Sequence, residues 1–243
     1  MDASLTAAYA DEMIHLADSA SLAEPPSARN VDFGIEEAYR VSAEVLRRRE
    51  ASGWRRVGRK IGFTNRTIWD QYGVYAPIFG YMYDCTVSWV TDRTIEVDGP
   101  GDEPSLSLAG VVQPLIEPEI AFHLRATPPV TDDPVALLRC IDWIGHGFEI
   151  VQCHFPDWKF SPADTVADGG LHGRYVIGPG MAVPHDGLES LVERLARFTI
   201  RLSKNGRAAA DGGGDLVLGS PLNALAYLVK TLASLPADRK SVV

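Results

Sequence analysis

Three cysteines in 243 residues, Cys85, Cys140 and Cys153, are too few and too scattered for a disulfide framework, and none forms a C-x-x-C pair. They are expected to be small buried hydrophobes. Positive charge is also short, since 23 Lys and Arg against 32 Asp and Glu leave a net charge of −9, which argues against nucleic acid and anionic membrane as partners. No unbroken apolar run reaches the ~18 residues of a membrane span. No G-x-G-x-x-G follows a strand pattern, no G-x-x-x-x-G-K-[ST] is present, and GGGD at 212–215 lacks the strand and helix of a phosphate cradle. Nucleotide cofactors held in those ways are excluded. The first residues, MDASLTAAYADEMIHL, carry acidic side chains and neither a basic stretch nor a continuous apolar run, so a cytoplasmic protein is expected.

What is present is ordinary in amount and uneven in order. Residues 3–20 have helical spacing (Leu5, Tyr9, Met13, Leu16) and run into AEPPSARN, whose paired prolines stop a helix. Residues 34–49 repeat the pattern. Together they predict a helical arm over 1–53, followed by a mixed β-rich core over 54–243. In that core RRVGRKIGF and PIFGYMYDCTVSWV read as extended, and TNRTIWDQYG as a short helix capped by Thr64 or Asn65. VDGPGDEPSLSLAG is a turn or excursion, and VVQPLIEPEIAFHLR a paired strand. Asp132 or Asp133 caps a helix from Pro134 to about Ile144, ahead of a core strand at 148–153. A short helix, a glycine turn and a strand follow in SPADTVADGGLHGRYVIGP, where Asp164 and Thr165 are the expected caps. GLESLVERLARFTIRLSKNG reads as a helix running into a strand with a turn at Asn205 and Gly206, and 221–235 as a last helix. Helices first and mixed strands later make the fold class α+β.

The residues that do not fit their surroundings are Glu117 and Glu119 in LIEPEIAFHL and Glu149 in GFEIVQC, carboxylates inside apolar segments. Residues two apart on a strand share a face, so Glu117 and Glu119 project together while Ile116, Ile120 and Phe122 pack on the other side. Two readings fit. One is the solvated face of a half-exposed strand. The other is a cation site, because adjacent buried carboxylates are costly unless paired or bound to a metal, and an all-carboxylate set suits Mg²⁺ or Mn²⁺ better than zinc. Pro118 between them marks an edge or irregular strand, since proline cannot donate to a ladder.

The run VGRKIGFTNRTIWDQYGVYAPIFGYMYD, followed in order by EPEIAF, FEIVQCHFPDW, DTVADGGLHGRYVIG and LGSPLNALAYLVKTLA, resembles the 2-keto-4-pentenoate hydratase family. Its relatives are the 2-oxo-3-hexenedioate decarboxylases and, more distantly, the fumarylacetoacetate hydrolase superfamily, whose fold the core is then expected to share. The likeness runs from about Ala38 to Leu235. It implies a lyase of 2-oxo acid chemistry with Glu117, Glu119 and Glu149 as ligands of Mg²⁺ or Mn²⁺. It also matches Lys60 to the lysine of G-R-K-I-G, a proton-transfer or anchoring group whose burial would lower its pKa; the plain alternative is a strand-end lysine reaching water. Asp84 matches the acidic position closing the F-G segment, either a proton relay with Lys60 or a turn aspartate.

Two departures stand out. Where hydratases carry a small hydroxyl residue after A-D-N-A, this chain has Gly170, Leu171 and His172, so Leu171 becomes a substrate contact and His172 a candidate proton donor. Arg59 and Arg174 are candidates for a substrate carboxylate. The chain also ends at ADRKSVV, where relatives continue with a G-D-x-V-x-T-G-type strand, which implies a core shortened at its C-terminus. The function expected is hydration of a 2-hydroxy-2,4-dienoate (2-oxo-4-enoate) to a 4-hydroxy-2-oxo acid in aromatic catabolism. The alternatives are a 2-oxo-3-enedioate decarboxylase, an acylpyruvate-type C–C hydrolase using His172 or His154, and a non-catalytic truncated subunit. The partners expected are a small 2-oxo acid, further copies of the chain, and a decarboxylase or hydratase of the same pathway.

Overall fold

The computed structural model describes residues 2–90 and 105–235. Helix α1 (Ala3–Ser19) and helix α3 (Ile35–Ala51) flank a single turn, α2 (Pro26–Arg29). That turn forms where a loop was expected, because Pro26 occupies the first helical position, where its fixed φ and missing N–H cost nothing. Strands β1 (Arg56–Gly62) and β2 (Ile78–Tyr83) make an antiparallel pair around α4 (Trp69–Tyr72), with Asn65 capping the short 3₁₀ turn before it. Strand β3 (Val87–Trp89) leads toward 91–104, outside the described residues, so much of the expected excursion at VDGPGDEPSLSLAG is not placed. Then come β4 (Leu115–Leu124), α5 (Pro134–Leu138), β5 (Ile141–Val151), α6 (Pro162–Ala167) and β6 (His172–Ala182). Last are α7 (Leu188–Arg197), the hairpin β7 (Thr199–Lys204) and β8 (Arg207–Gly213), and α8 (Pro221–Ser234).

The four-stranded sheet runs β3-β6-β5-β4, with β3 parallel to β6 and the other pairs antiparallel. Among the described residues strand β4 lies on an edge of the sheet, the position where a sheet tolerates a proline such as Pro118. Asp133 caps α5 as expected, but that helix stops at Leu138 and the chain enters β5 at Ile141, far earlier than residue 148. The stretch rich in Ile, Trp and Phe gains a ladder on both sides as a central strand, which outweighs the helical spacing. Only Cys153 is buried; Cys85 is exposed and Cys140 intermediate.

Tyr9, Met13 and Leu16 of α1 and Val41 of α3 pack in one cluster with Val166 of α6, Val151 and Phe155. Asp164 is the clip. Wholly buried, it accepts from Ser27 N (2.9 Å) and Ser27 Oγ (2.5 Å) and closes a capping box with Ser161, which is the N-cap in place of Asp164 or Thr165. On the other side α8 joins two clusters, Leu222 and Leu225 packing with α5 and α7, and Leu228 and Leu232 with Phe79 and Tyr81 of β2. By length and composition alone 214–234 is apolar enough to cross a membrane, although Asp215, Pro221, Asn223 and Lys230 leave no unbroken apolar run in it. Its regular helix is 14 residues and its apolar face is spent on these two clusters, which is the pattern of a core helix.

Candidate metal centre

Glu117 and Glu149 are direct partners across β4 and β5, and Glu119 stands opposite Gly147. Directly opposed residues in an antiparallel pair share a face, so the register alone brings the three carboxylates together. Their ligand oxygens lie within 4.8 Å of one another. Glu149 is buried, Glu119 half-buried and Glu117 exposed. Gly147 leaves the space beside Glu119 to Tyr175, whose hydroxyl would be 3.0 Å from a Cβ added there.

A cation is already present on the protein side. Lys60 Nζ lies 2.6 Å from Glu149 Oε2, with only 9% of its side chain exposed. Lys60 reaches it beneath the turn at Gly169 and Gly170. A Cβ on Gly170 would sit 3.5 Å from Lys60 Cδ, and one on Gly80, the partner of Lys60 across β1 and β2, would lie 2.1 Å from the Gly169 carbonyl oxygen. Both turn glycines have positive φ, 63° and 73°. The next residue, Leu171, holds φ 62° as a non-glycine and packs its side chain into the cluster of Met13, Val41 and Val166.

His172 completes the group, its Nδ1 2.8 Å from Glu149 Oε1. It faces Glu149 because of a bulge. The ladder pairs Ile150 with Arg174 but Val151 with His172, leaving Gly173 extra, so His172 and Tyr175 both fall on the Glu149 face. A Cβ at Gly173 would meet the Ile150 carbonyl at 2.6 Å.

The charges explain one another. Desolvation, then repulsion from Glu149 and Glu117, pushes Glu119 up to about 8. Glu117 is exposed as a residue, but its carboxyl turns into the cluster, where desolvation raises it too. Glu149 is desolvated too, yet Lys60 and the His172 hydrogen bond hold it below the ordinary carboxylate value. Lys60 departs from expectation: burial lowers its pKa, but the three glutamates more than offset this and the net direction is up.

The other sequence candidates are not brought to this cluster. Asp84 follows β2 at its far end, accepting from Arg55 N at 3.2 Å and facing the Arg55 guanidinium at 3.6 Å, so the expected pair with Lys60 does not form. Arg59 pairs with Tyr81 across β1 and β2, on the face opposite Lys60, with its guanidinium 5.4 Å from the Tyr81 ring centroid. Arg174 stands opposite Ile150 and so on the far face of the sheet from Glu149. Asp168 and His154 form a separate buried pair, Nδ1 to Oδ1 2.6 Å, which anchors the start of the glycine turn. Thr86 and Tyr175 went unnoticed in the sequence. The only signals for them were the aromatic in GRYVIG and the turn after FGYMYD.

Comparison with known proteins gives the same direction. No family model matches the chain. A 2-hydroxyhexa-2,4-dienoate hydratase of Comamonas testosteroni is 38% identical over 219 residues, 89% of this chain and 76% of that protein. A 2-hydroxypent-2,4-dienoate hydratase of Pseudomonas putida is 33% identical over 236 residues, 96% of this chain and 97% of that protein. Among solved structures, 4-oxalocrotonate decarboxylase from Pseudomonas putida G7, complexed with magnesium and adipate, superposes with a TM-score of 0.80 at 26% identity, covering 96% of this chain and 82% of that one.

Proposed function

This chain belongs to the 2-keto-4-pentenoate hydratase family, which also holds 4-oxalocrotonate decarboxylases, and from that premise we propose that it is a divalent-metal-dependent hydro-lyase. It adds water to a 2-hydroxy-2,4-dienoate and releases a 4-hydroxy-2-oxo acid. The observation that carries this reading is the convergence of Glu117, Glu119 and Glu149 beside the buried Lys60.

The residues fit the metal. Three hard oxygen donors with no sulfur or imidazole among them suit Mg²⁺ or Mn²⁺, and Glu119 held near 8 marks a cluster whose charge wants a cation. When bound, the ion supplies a Lewis acid that stabilises negative charge on the substrate's C2 oxygen. In the net reaction the enol gives up its hydroxyl proton, C5 and C3 each gain a proton, and the hydroxyl of water ends on C4. Lys60 holds a proton and a positive charge against Glu149, where it can hand that proton on or anchor the substrate carboxylate. His172 fixes the other oxygen of Glu149. Asp84, Arg59 and Arg174 are left out of this assignment.

The decisive experiment is to follow the conjugated-diene absorbance with Mg²⁺-loaded protein. Its loss with formation of the 4-hydroxy-2-oxo acid supports the reading; unchanged absorbance in a protein that binds Mg²⁺ normally rejects it. A decarboxylase is the second reading, favoured by the likeness to the solved 4-oxalocrotonate decarboxylase. Release of CO₂ from a 2-oxo-3-enedioate distinguishes it.

We also place the protein in the cytoplasm as a homo-oligomer able to associate with a decarboxylase of the same pathway. Ile116 and Phe148, on the sheet face turned away from the glutamates, are 50% and 39% exposed, which supports a subunit contact there. Light scattering of the purified protein tests it, and a monomer at micromolar concentration would reject it.

A further inference from the structure

Both oxygens of Glu149 are engaged, one by Lys60 and one by His172, and the His172 ring is itself held from behind. Its Nε2 lies 2.8 Å from Thr86 Oγ1. Thr86 is 8% exposed and sits in the tight turn between β2 and β3. Its backbone N–H donates to Tyr83 O at 2.9 Å, and its carbonyl accepts from Tyr175 N at 2.8 Å. Its hydroxyl is tied to the same turn, accepting from Tyr83 N at 3.3 Å and lying 3.0 Å from Tyr83 O. One residue, by its side chain and its backbone, therefore connects Tyr83 of β2 and Tyr175 of β6 to the imidazole.

We propose that Thr86 is a positioning residue of this centre, which through His172 fixes the plane of the Glu149 carboxylate toward Glu117 and Glu119. An ionised carboxylate only accepts hydrogen bonds, so the His172 nitrogen facing Glu149 carries a proton. In the neutral ring the other nitrogen is then an acceptor, and Thr86 Oγ–H supplies its donor. With the hydroxyl turned to the Tyr83 carbonyl instead, Thr86 would accept from Nε2–H only in a ring that carries both protons, so the neutral Nδ1–H ring needs the hydroxyl proton on the His172 side. Among the described residues, no other hydrogen bond to Nε2 selects this tautomer or orientation. Groups bonded directly to a ligand typically change metal affinity by about 10- to 100-fold when removed, and Thr86, one bond further back, belongs at the low end of that range. The residue of this turn that reaches the centre is Thr86, two positions beyond Asp84.

The proposal rests on reading Glu149 as a cation ligand, and its test separates the two ideas. Long-range ¹H–¹⁵N spectra of the metal-free protein, with the His172 signals assigned by loss in His172→Asn, report the tautomer without any metal or activity. The wild type is expected to carry its proton on Nδ1. Thr86→Val, which keeps shape and loses the hydroxyl, is expected to lose that single signature and to bind Mn²⁺ about tenfold more weakly by calorimetry, whereas Thr86→Ser restores both. A wild-type spectrum with Nδ1 unprotonated overturns the proposal without recourse to a variant. So does a Thr86→Val protein with wild-type spectrum and wild-type Mn²⁺ affinity. If the spectra behave as expected while not even the wild type binds Mn²⁺, the positioning of His172 by Thr86 stands and the cation reading falls.

Discussion

Lys60 Nζ and Glu149 Oε2 are 2.6 Å apart with both side chains withdrawn from water, so the centre contains a buried ion pair before any metal enters. Removing one partner of such a pair leaves an uncompensated charge, at a cost of about 3–5 kcal/mol. Lys60→Met is therefore expected to destabilise the metal-free protein by about that amount, and adding Glu149→Gln should recover part of it. Urea unfolding measures both. A loss under about 1 kcal/mol for Lys60→Met would mean that the pair is not formed in solution.

Glu119 sets a pH dependence of stability. Its folded pKa, about 8, lies above its ordinary value of 4.5, so between those pH values the unfolded chain releases a proton that the folded chain keeps. The stabilisation is full below the lower value and is lost as pH rises through the upper one. The metal-free wild type should lose stability from about pH 5 to pH 8 relative to Glu119→Gln. Thermal melts of the two proteins across that range decide it; parallel curves would refute the raised pKa.

The same proton competes with the cation. Mn²⁺ affinity is expected to increase up to about pH 8 and then level, with a proton released on binding below that point. Calorimetry in two buffers of different ionisation enthalpy counts the proton. Glu119→Gln should abolish binding, and a variant that binds Mn²⁺ unchanged would take Glu119 out of the ligand set.

Gly80 has no room for a methyl group, because its Cβ would lie 2.1 Å from the backbone oxygen of Gly169. Gly80→Ala should push the glycine turn away from β2, costing about 1–3 kcal/mol and displacing His172 from Glu149. Loss of turnover larger than the loss of stability explains is the expected result; a variant as active as the wild type would show that the turn can yield.

Asp84 lies against Arg55, away from the glutamates. Asp84→Asn should keep turnover within about twofold, as an exposed substitution outside the site does. A hundredfold loss in kcat would restore it to the proton-transfer machinery.

Much of this was legible in the chain itself. The face shared by Glu117 and Glu119 follows from strand periodicity, a cap at Asp132 or Asp133 from local chemistry, with Asp133 the one used, and the family from the order of its motifs. Their physical basis is local, so a sequence can carry them. The extent of β5 was not legible, because its pairing with β4 on one side and β6 on the other decides it. Nor was the net pKa of Lys60, since burial and three carboxylates act on it in opposite directions and only their distances settle the balance.

The sequence by itself determined which chemical groups the protein owns, three glutamates, one lysine in G-R-K-I-G and a histidine two residues beyond a glycine pair, and that Glu117 and Glu119 share a strand face. Tertiary structure decided which of them meet. The bulge at Gly173 turns His172 onto the Glu149 face, and the close approach of Gly80 to Gly169 lays the turn over Lys60. A hydrogen bond spanning 86 positions makes Thr86, rather than Asp84, the residue of its turn that reaches the centre. Such contacts depend on how separate elements pack, and no periodicity within one element encodes them.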